Sequence, residues 1–210
     1  SNTVSVVNPE ANSLLGVIRL GEPTPGNLSP LYTGQLPVHG MGFSPDHRTL
    51  VVVSIGSNSA AFIDTQTNRV KHGTYLGRSP HEAMFTPDGR EVWVTVRGEN
   101  YVQVLEGKTY APKLRIIVPN GPGMTIFSPD GNWIAFVSTR SSRTGIVKVG
   151  SVLATEFRTF GGDVWVVPAL GGQARLLAKD GNFPSWHPGG RKVIYRSEER
   201  RVGKECRSRW

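Results

Sequence analysis

Phe43-Ser44-Pro45-Asp46 returns as Phe85-Thr86-Pro87-Asp88 and again as Phe127-Ser128-Pro129-Asp130. Pro45, Pro87 and Pro129 are evenly spaced. Self-similarity at a fixed period marks a repeat architecture, and the common step, about 42 residues, is the size of one four-stranded propeller blade. A degenerate copy, Trp186-His187-Pro188-Gly189-Gly190, arrives later than this period demands, as though a segment had been inserted before it. In the second copy the phrase closes a short strand at 81–86, and Pro87-Asp88-Gly89 suits a tight reversal. Positions 91–96 are β-rich, 97–100 turn the chain, 101–105 alternate, Gly107 breaks the pattern and 114–118 complete a meander of four. Nothing in this stretch has the period of a helix.

The first repeat follows the same plan, with strands expected at 40–44, 49–54, 60–64 and 70–76. Before it stand two strands, 3–7 and 14–18, around the turn 8–12. The segment 21–36, with Pro23, Pro25 and Pro30, reads as an extended loop. The fold expected is therefore all-β: a β-propeller of about four four-stranded antiparallel blades, with full blades near 37–78, 79–120 and 121–182 and half-blades near 2–20 and 183–196 that together make the fourth. The inserted segment falls around 141–161 and is apolar enough to pack as an added hairpin or short helix rather than a solvated loop.

Composition narrows the partners. The chain has 210 residues, 38% hydrophobic and 19% charged, which are globular values. It holds no apolar run long enough to span a bilayer as a helix. The formal charge is +8. The tail 197–210 holds five basic and three acidic side chains, so a net of +6 is spread over all the rest. No dense basic block with interleaved aromatics precedes that tail, and no nucleic-acid partner is expected. The single cysteine, Cys206, allows neither an internal disulfide nor a cysteine-based metal cluster. No signal peptide is visible, and the start reads as cut from a longer or processed chain. The tail 197–210 lacks strand alternation and resembles translated adapter or vector read-through; it is set apart from the fold as artefactual or disordered.

Two family resemblances attach to these residues. Phe62-Ile63-Asp64-Thr65-Gln66-Thr67-Asn68-Arg69-Val70 resembles the V-I-D-T-x-T-N-x-V phrase of YVTN-family β-propellers, and Asn2-Thr3-Val4-Ser5-Val6-Val7-Asn8-Pro9 matches it one blade earlier. Trp93-Val94-Thr95-Val96 stands where the namesake tetrapeptide would fall, although no blade spells it in full. After Gly131 the flavour changes. Trp133 to Arg140, Asp163-Val164-Trp165-Val166-Val167-Pro168, Gly171-Gly172 and Phe183-Pro184-Ser185-Trp186 resemble the TolB-like propeller repeat. The switch falls at Ser128-Pro129-Asp130-Gly131, a phrase both families share, so a natural propeller of mixed blades and a false join of two genes both remain open. The half-blades 183–196 and 3–18 could pair and close a four-bladed ring, whereas the resemblance implies seven blades, hence a fragment whose remaining blades are missing; it also implies a location outside the cytoplasm: periplasmic, cell-surface or secreted.

The candidate site lies at the start of the first strand of each repeat. His39 stands four positions before Phe43 and His81 four before Phe85; the third copy has Gly123 there. Two imidazoles at one channel mouth can bind a transition metal or an anionic ligand, or act as acid and base. Arg97 and Arg140, after the second strands of their blades, are within reach of the same face as the histidines, although surface arginines commonly occupy such positions. Glu82 adjoins His81, but strand alternation sends neighbours to opposite faces, which counts against its orienting the ring. Asp46, Asp88 and Asp130 are expected to be turn residues, and His187 to be incidental. No G-x-S-x-G elbow, H-E-x-x-H or phosphate loop is present.

The expected function is a non-catalytic scaffold that binds a protein or small ligand at the channel face, with His39, His81, Arg97 and Arg140 as ligand-binding residues and His39 and His81 as the metal candidates. The alternative is a propeller enzyme or an enzyme-associated gating propeller: lactonase-like, cofactor-binding, or attached to a peptidase or amidohydrolase. No cofactor is assigned, and the balance leans away from catalysis.

Overall fold

The computed structural model describes residues 2–21, 37–118, 122–138, 145–149, 152–156 and 162–197. Residues 22–36 of the expected loop 21–36, Arg140, Cys206 and residues 198–210 of the tail 197–210 lie outside the described residues. Among those described, the secondary structure is strand throughout, apart from a single 3-10 turn at Arg97–Glu99. No helix among them is long and apolar enough to cross a membrane. The chain forms two compact units, residues 1–123 and 124–210.

In the first unit, β1 (Thr3–Asn8) and β2 (Ser13–Arg19) form a hairpin. Next come β3 (Val38–Phe43), β4 (Thr49–Ser54), β5 (Ser59–Asp64) and β6 (Arg69–Tyr75), a sequential antiparallel sheet. The plan repeats with β7 (Pro80–Phe85), β8 (Glu91–Val96), β9 (Tyr101–Glu106) and β10 (Pro112–Ile117). β3 and β7 thus start one sequence period apart.

In the second unit, β11 (Thr125–Phe127) and β12 (Trp133–Ser138) are followed by β13 (Gly145–Val149) and β14 (Val152–Glu156), a separate antiparallel hairpin. The chain then rejoins the sheet: β15 (Asp163–Pro168) pairs with β12, and β16 (Arg175–Ala178) completes the order β11-β12-β15-β16. The inserted segment is therefore a hairpin spliced between the second and third strands of a four-stranded sheet. β17 (Gly181–Trp186) and β18 (Val193–Ser197) end the described chain as a two-stranded pair.

The central strands are buried on both faces, which is why Thr49-Leu50-Val51-Val52-Val53-Ser54 reads as a continuous run instead of alternating. Val51 and Val53 point to one face, where they pack with Phe62, Phe85, Val92, Val94 and Leu105 of the two four-stranded sheets. Leu50 and Val52 point to the other and meet Ile18 and Ile63, with Val4 and Val6 of the hairpin alongside. Phe62 and Tyr110 stack with ring centroids 3.8 Å apart. The second unit has its own core of Ala135, Val164, Val166 and Val193. The outer strands β6 and β10 are largely exposed.

The repeated phrase is a hydrogen-bonded turn. Ser44 Oγ donates to Asp46 Oδ1 at 2.6 Å and accepts from the Thr49 amide at 2.9 Å, while Asp46 accepts from the Arg48 amide at 3.1 Å. Thr86 with Asp88, and Ser128 with Asp130, repeat the pattern. Each turn contains one left-handed residue: His47 (φ 58°), Gly89 (φ 69°) and Gly131 (φ 72°). In the fourth copy Gly190 (φ 68°) is left-handed and His187 Nδ1 accepts from the Gly189 amide at 3.1 Å. His187 is thus a turn acceptor in place of the serine. Asn58 and Asn100, and Asn68 and Tyr110, are further left-handed pairs, again one period apart. The period is written into the backbone as well as the sequence.

Candidate functional site

β3 and β7, the first strands of neighbouring sheets in the first unit, lie side by side. Their closeness depends on two glycines. A Cβ on Gly40 would stand 2.6 Å from the His81 carbonyl oxygen and would also strike the Glu82 carboxylate; one on Gly42 would stand 2.6 Å from the Ala83 carbonyl oxygen. Side chains at either position would hold the strands apart.

Both strands carry a β-bulge at the same register. In the β3–β4 ladder, Val38 faces Ser54 and Met41 faces Val52, so three steps on one strand match two on the other. In β7–β8, Pro80 faces Val96 and Ala83 faces Val94. A bulge breaks the strict alternation of faces. His39 and Gly40 lie within the first bulge, His81 and Glu82 within the second. Thr95, fully buried in β8, braces the second: its hydroxyl accepts from the Glu82 amide at 3.0 Å and lies 3.4 Å from the Glu82 carbonyl oxygen.

The result gathers three side chains. The His39 and His81 rings are 3.9 Å apart between centroids, inclined at 38°. Glu82 Oε1 lies 3.4 Å from His39 Nδ1 and 3.8 Å from His81 Nδ1. The expectation that alternation separates Glu82 from His81 is overturned: the bulge between Pro80 and Ala83 puts both on one side. Gly40 is the repeat equivalent of Glu82, one period earlier. Its missing side chain leaves the space the Glu82 carboxylate occupies.

The electrostatics favour neutral imidazole at His81. Burial, then the neighbouring His39 and the Arg97 guanidinium, lower its pKa from 6.5 to about 4. Burial raises the Glu82 carboxyl above its usual range, against the opposing pull of His39. His39 Nδ1 lies 3.1 Å from the His81 carbonyl oxygen. A carbonyl only accepts, so this contact puts the proton on Nδ1 and leaves the lone pair on Nε2. His81 Nδ1 is buried without a hydrogen-bond partner; leaving such an atom unpaired costs about 1–3 kcal/mol. One nitrogen from each ring and one Glu82 oxygen lie within 4.8 Å of one another.

Of the four residues singled out from the sequence, the fold brings His39 and His81 into contact and Arg97 into electrostatic reach of His81; Arg140 is outside the described residues. Glu82 adjoins His81 in the sequence, but the bulge that turns it toward the ring has no signature in the local sequence. Asp46, Asp88 and Asp130 stand apart from this cluster in their turns.

No protein-family model matches the sequence, and neither does any curated protein. Among solved structures, the chain is similar to hydrazine synthase of Kuenenia stuttgartiensis, with a TM-score of 0.67 and 18% identity. The match covers 91% of this chain and 48% of that one, so the chain spans about half the length of the structure it resembles. At that identity the likeness is one of fold.

Proposed function

We propose that the chain is part of a β-propeller of YVTN-like blades, with TolB-like blades toward its C-terminus, and that it is a non-catalytic scaffold outside the cytoplasm holding a protein or small ligand where His39, His81 and Glu82 meet. The observation that carries this reading is the unpaired, buried Nδ1 of His81 inside a two-histidine, one-carboxylate cluster. An unsatisfied polar atom at the meeting of two bulged strands is the mark of a site rather than of a core. The blade assignment is supported by sequential four-stranded antiparallel sheets and by turn chemistry that returns once in every repeat. The location rests on the family resemblance.

The test is ligand capture. Thermal shifts of the purified chain against metal ions, small carboxylates, phosphates and peptides should show at least one stabilising ligand whose effect disappears in His39→Ala and His81→Ala. A full panel without a hit that depends on these histidines refutes the site. Turnover of esters or lactones that is abolished by His81→Ala would replace the scaffold reading with the enzymatic one.

A further inference from the structure

We infer that His39, His81 and Glu82 form a three-ligand site for a divalent first-row transition metal of the zinc, nickel or copper type. The inference rests on the binding-site reading above and names its ligand class. Two imidazole nitrogens and a single carboxylate select such ions, whereas calcium and magnesium require sites made of oxygen.

The spacing fits. Ligands about 2.0–2.2 Å from a tetrahedral ion stand roughly 3.4 Å from each other. Glu82 Oε1 is 3.8 Å from His81 Nδ1, and one ligand atom from each of the three side chains lies within 4.8 Å of the others, so side-chain rotations close the site. The His39 side chain is 41% exposed. Turning that ring either exchanges its carbonyl contact for a metal bond or brings Nε2 to the ion. The His81 side chain is the less exposed of the two, at 21%, and its Nδ1 has no hydrogen-bond partner.

Three protein ligands leave a coordination position open, as in metal sites that bind an outside molecule. The repeat explains how the set arose: a histidine at the same register in two copies supplies two ligands. The third comes from the copy with glutamate where its neighbour has glycine. The third repeat, with Gly123 and Met124 at these positions, carries no equivalent set.

The test is cobalt titration of the full chain, metal-stripped by chelation, on a Cys206→Ser background so that the lone thiol supplies no ligand. Expected is a visible d–d absorption band that saturates at a single equivalent and is displaced by zinc. Mutating groups that merely orient a metal's ligands costs about 10–100-fold in affinity, so His39→Ala, His81→Ala and Glu82→Gln, which remove proposed ligands, should each weaken cobalt binding by at least about tenfold. Near-ultraviolet circular dichroism checks folding; if His81→Ala does not fold, Glu82→Gln and the exposed His39→Ala decide the matter. Absence of a band, or affinity unchanged in the variants, overturns the inference. A metal-free titration with acetate and phosphate, read from the histidine ring resonances, separates the two readings. Shifts there without cobalt binding sink the metal but keep the binding site, and silence in both experiments overturns both.

Discussion

Gly40 and His47 show how one residue sets local geometry in opposite ways. At Gly40 the absent side chain is the functional feature, since any Cβ would meet the backbone of β7 and the Glu82 carboxylate. Gly40→Ala is expected to destabilise the first unit by about 1–3 kcal/mol, the usual cost of forcing extra volume into packed structure. It should also separate His39 from Glu82. A lowered urea midpoint, together with a change in the His39 ring resonances in nuclear magnetic resonance spectra, would register both effects. At His47 a side chain is present where the equivalent turns have glycine, and its φ of 58° lies in the left-handed region. His47→Gly should therefore raise stability by about 0.5–1 kcal/mol, because the left-handed strain removed exceeds the backbone entropy added. Thermal denaturation will show a small upward shift; a fall would mean that the His47 side chain contributes more than its backbone costs.

The element that repeats most faithfully is the Ser/Thr-Pro-Asp turn between the first two strands of each sheet. The hydroxyls of Ser44, Thr86 and Ser128, followed by the amides of Arg48, Arg90 and Asn132, hold Asp46, Asp88 and Asp130 below the ordinary carboxylate pKa of 3.8. A carboxylate whose folded pKa is depressed contributes stability that is present above its unfolded value and lost as pH falls through the folded one. The turns should therefore weaken below pH 3.8. An Asp46→Asn, Asp88→Asn, Asp130→Asn triple variant keeps an acceptor in each turn but cannot titrate. Its urea midpoint, followed from about pH 6 down to about pH 2, is expected to fall less steeply than that of the unaltered chain. Equal slopes would assign acid sensitivity to other groups.

At the scale of the whole molecule, the first unit depends on sheets packed face to face. Phe62 is fully buried, stacks on Tyr110 and stands edge-on to Phe85, so one side chain ties β5 to the following sheet. Phe62→Ala is expected to cost about 3–5 kcal/mol and, by loosening the two sheets, to disturb the meeting of β3 and β7 at the site. Chemical denaturation measures the first effect, and the His39 and His81 resonances report the second. If the resonances do not move, the strand pair is held by its own glycine contact and not by the core behind it.

The repeat, the all-β character and the approximate place of the strands were all legible in the order of the residues. These depend on local chemistry: proline and glycine at turns, β-branched runs in strands, and a hydroxyl and a carboxylate two positions apart. The paired histidines were legible for the same reason, as two copies of one register position. The β13–β14 hairpin was legible only as an apolar excess between two strands of the plan. Which side chains converge was settled by packing alone. Whether Glu82 faces His81 depends on a bulge in β7 braced by a threonine on β8 and on space left by a glycine in the neighbouring sheet. None of these can be read from alternation along one strand, because each is a relation between segments that meet only when the sheets pack.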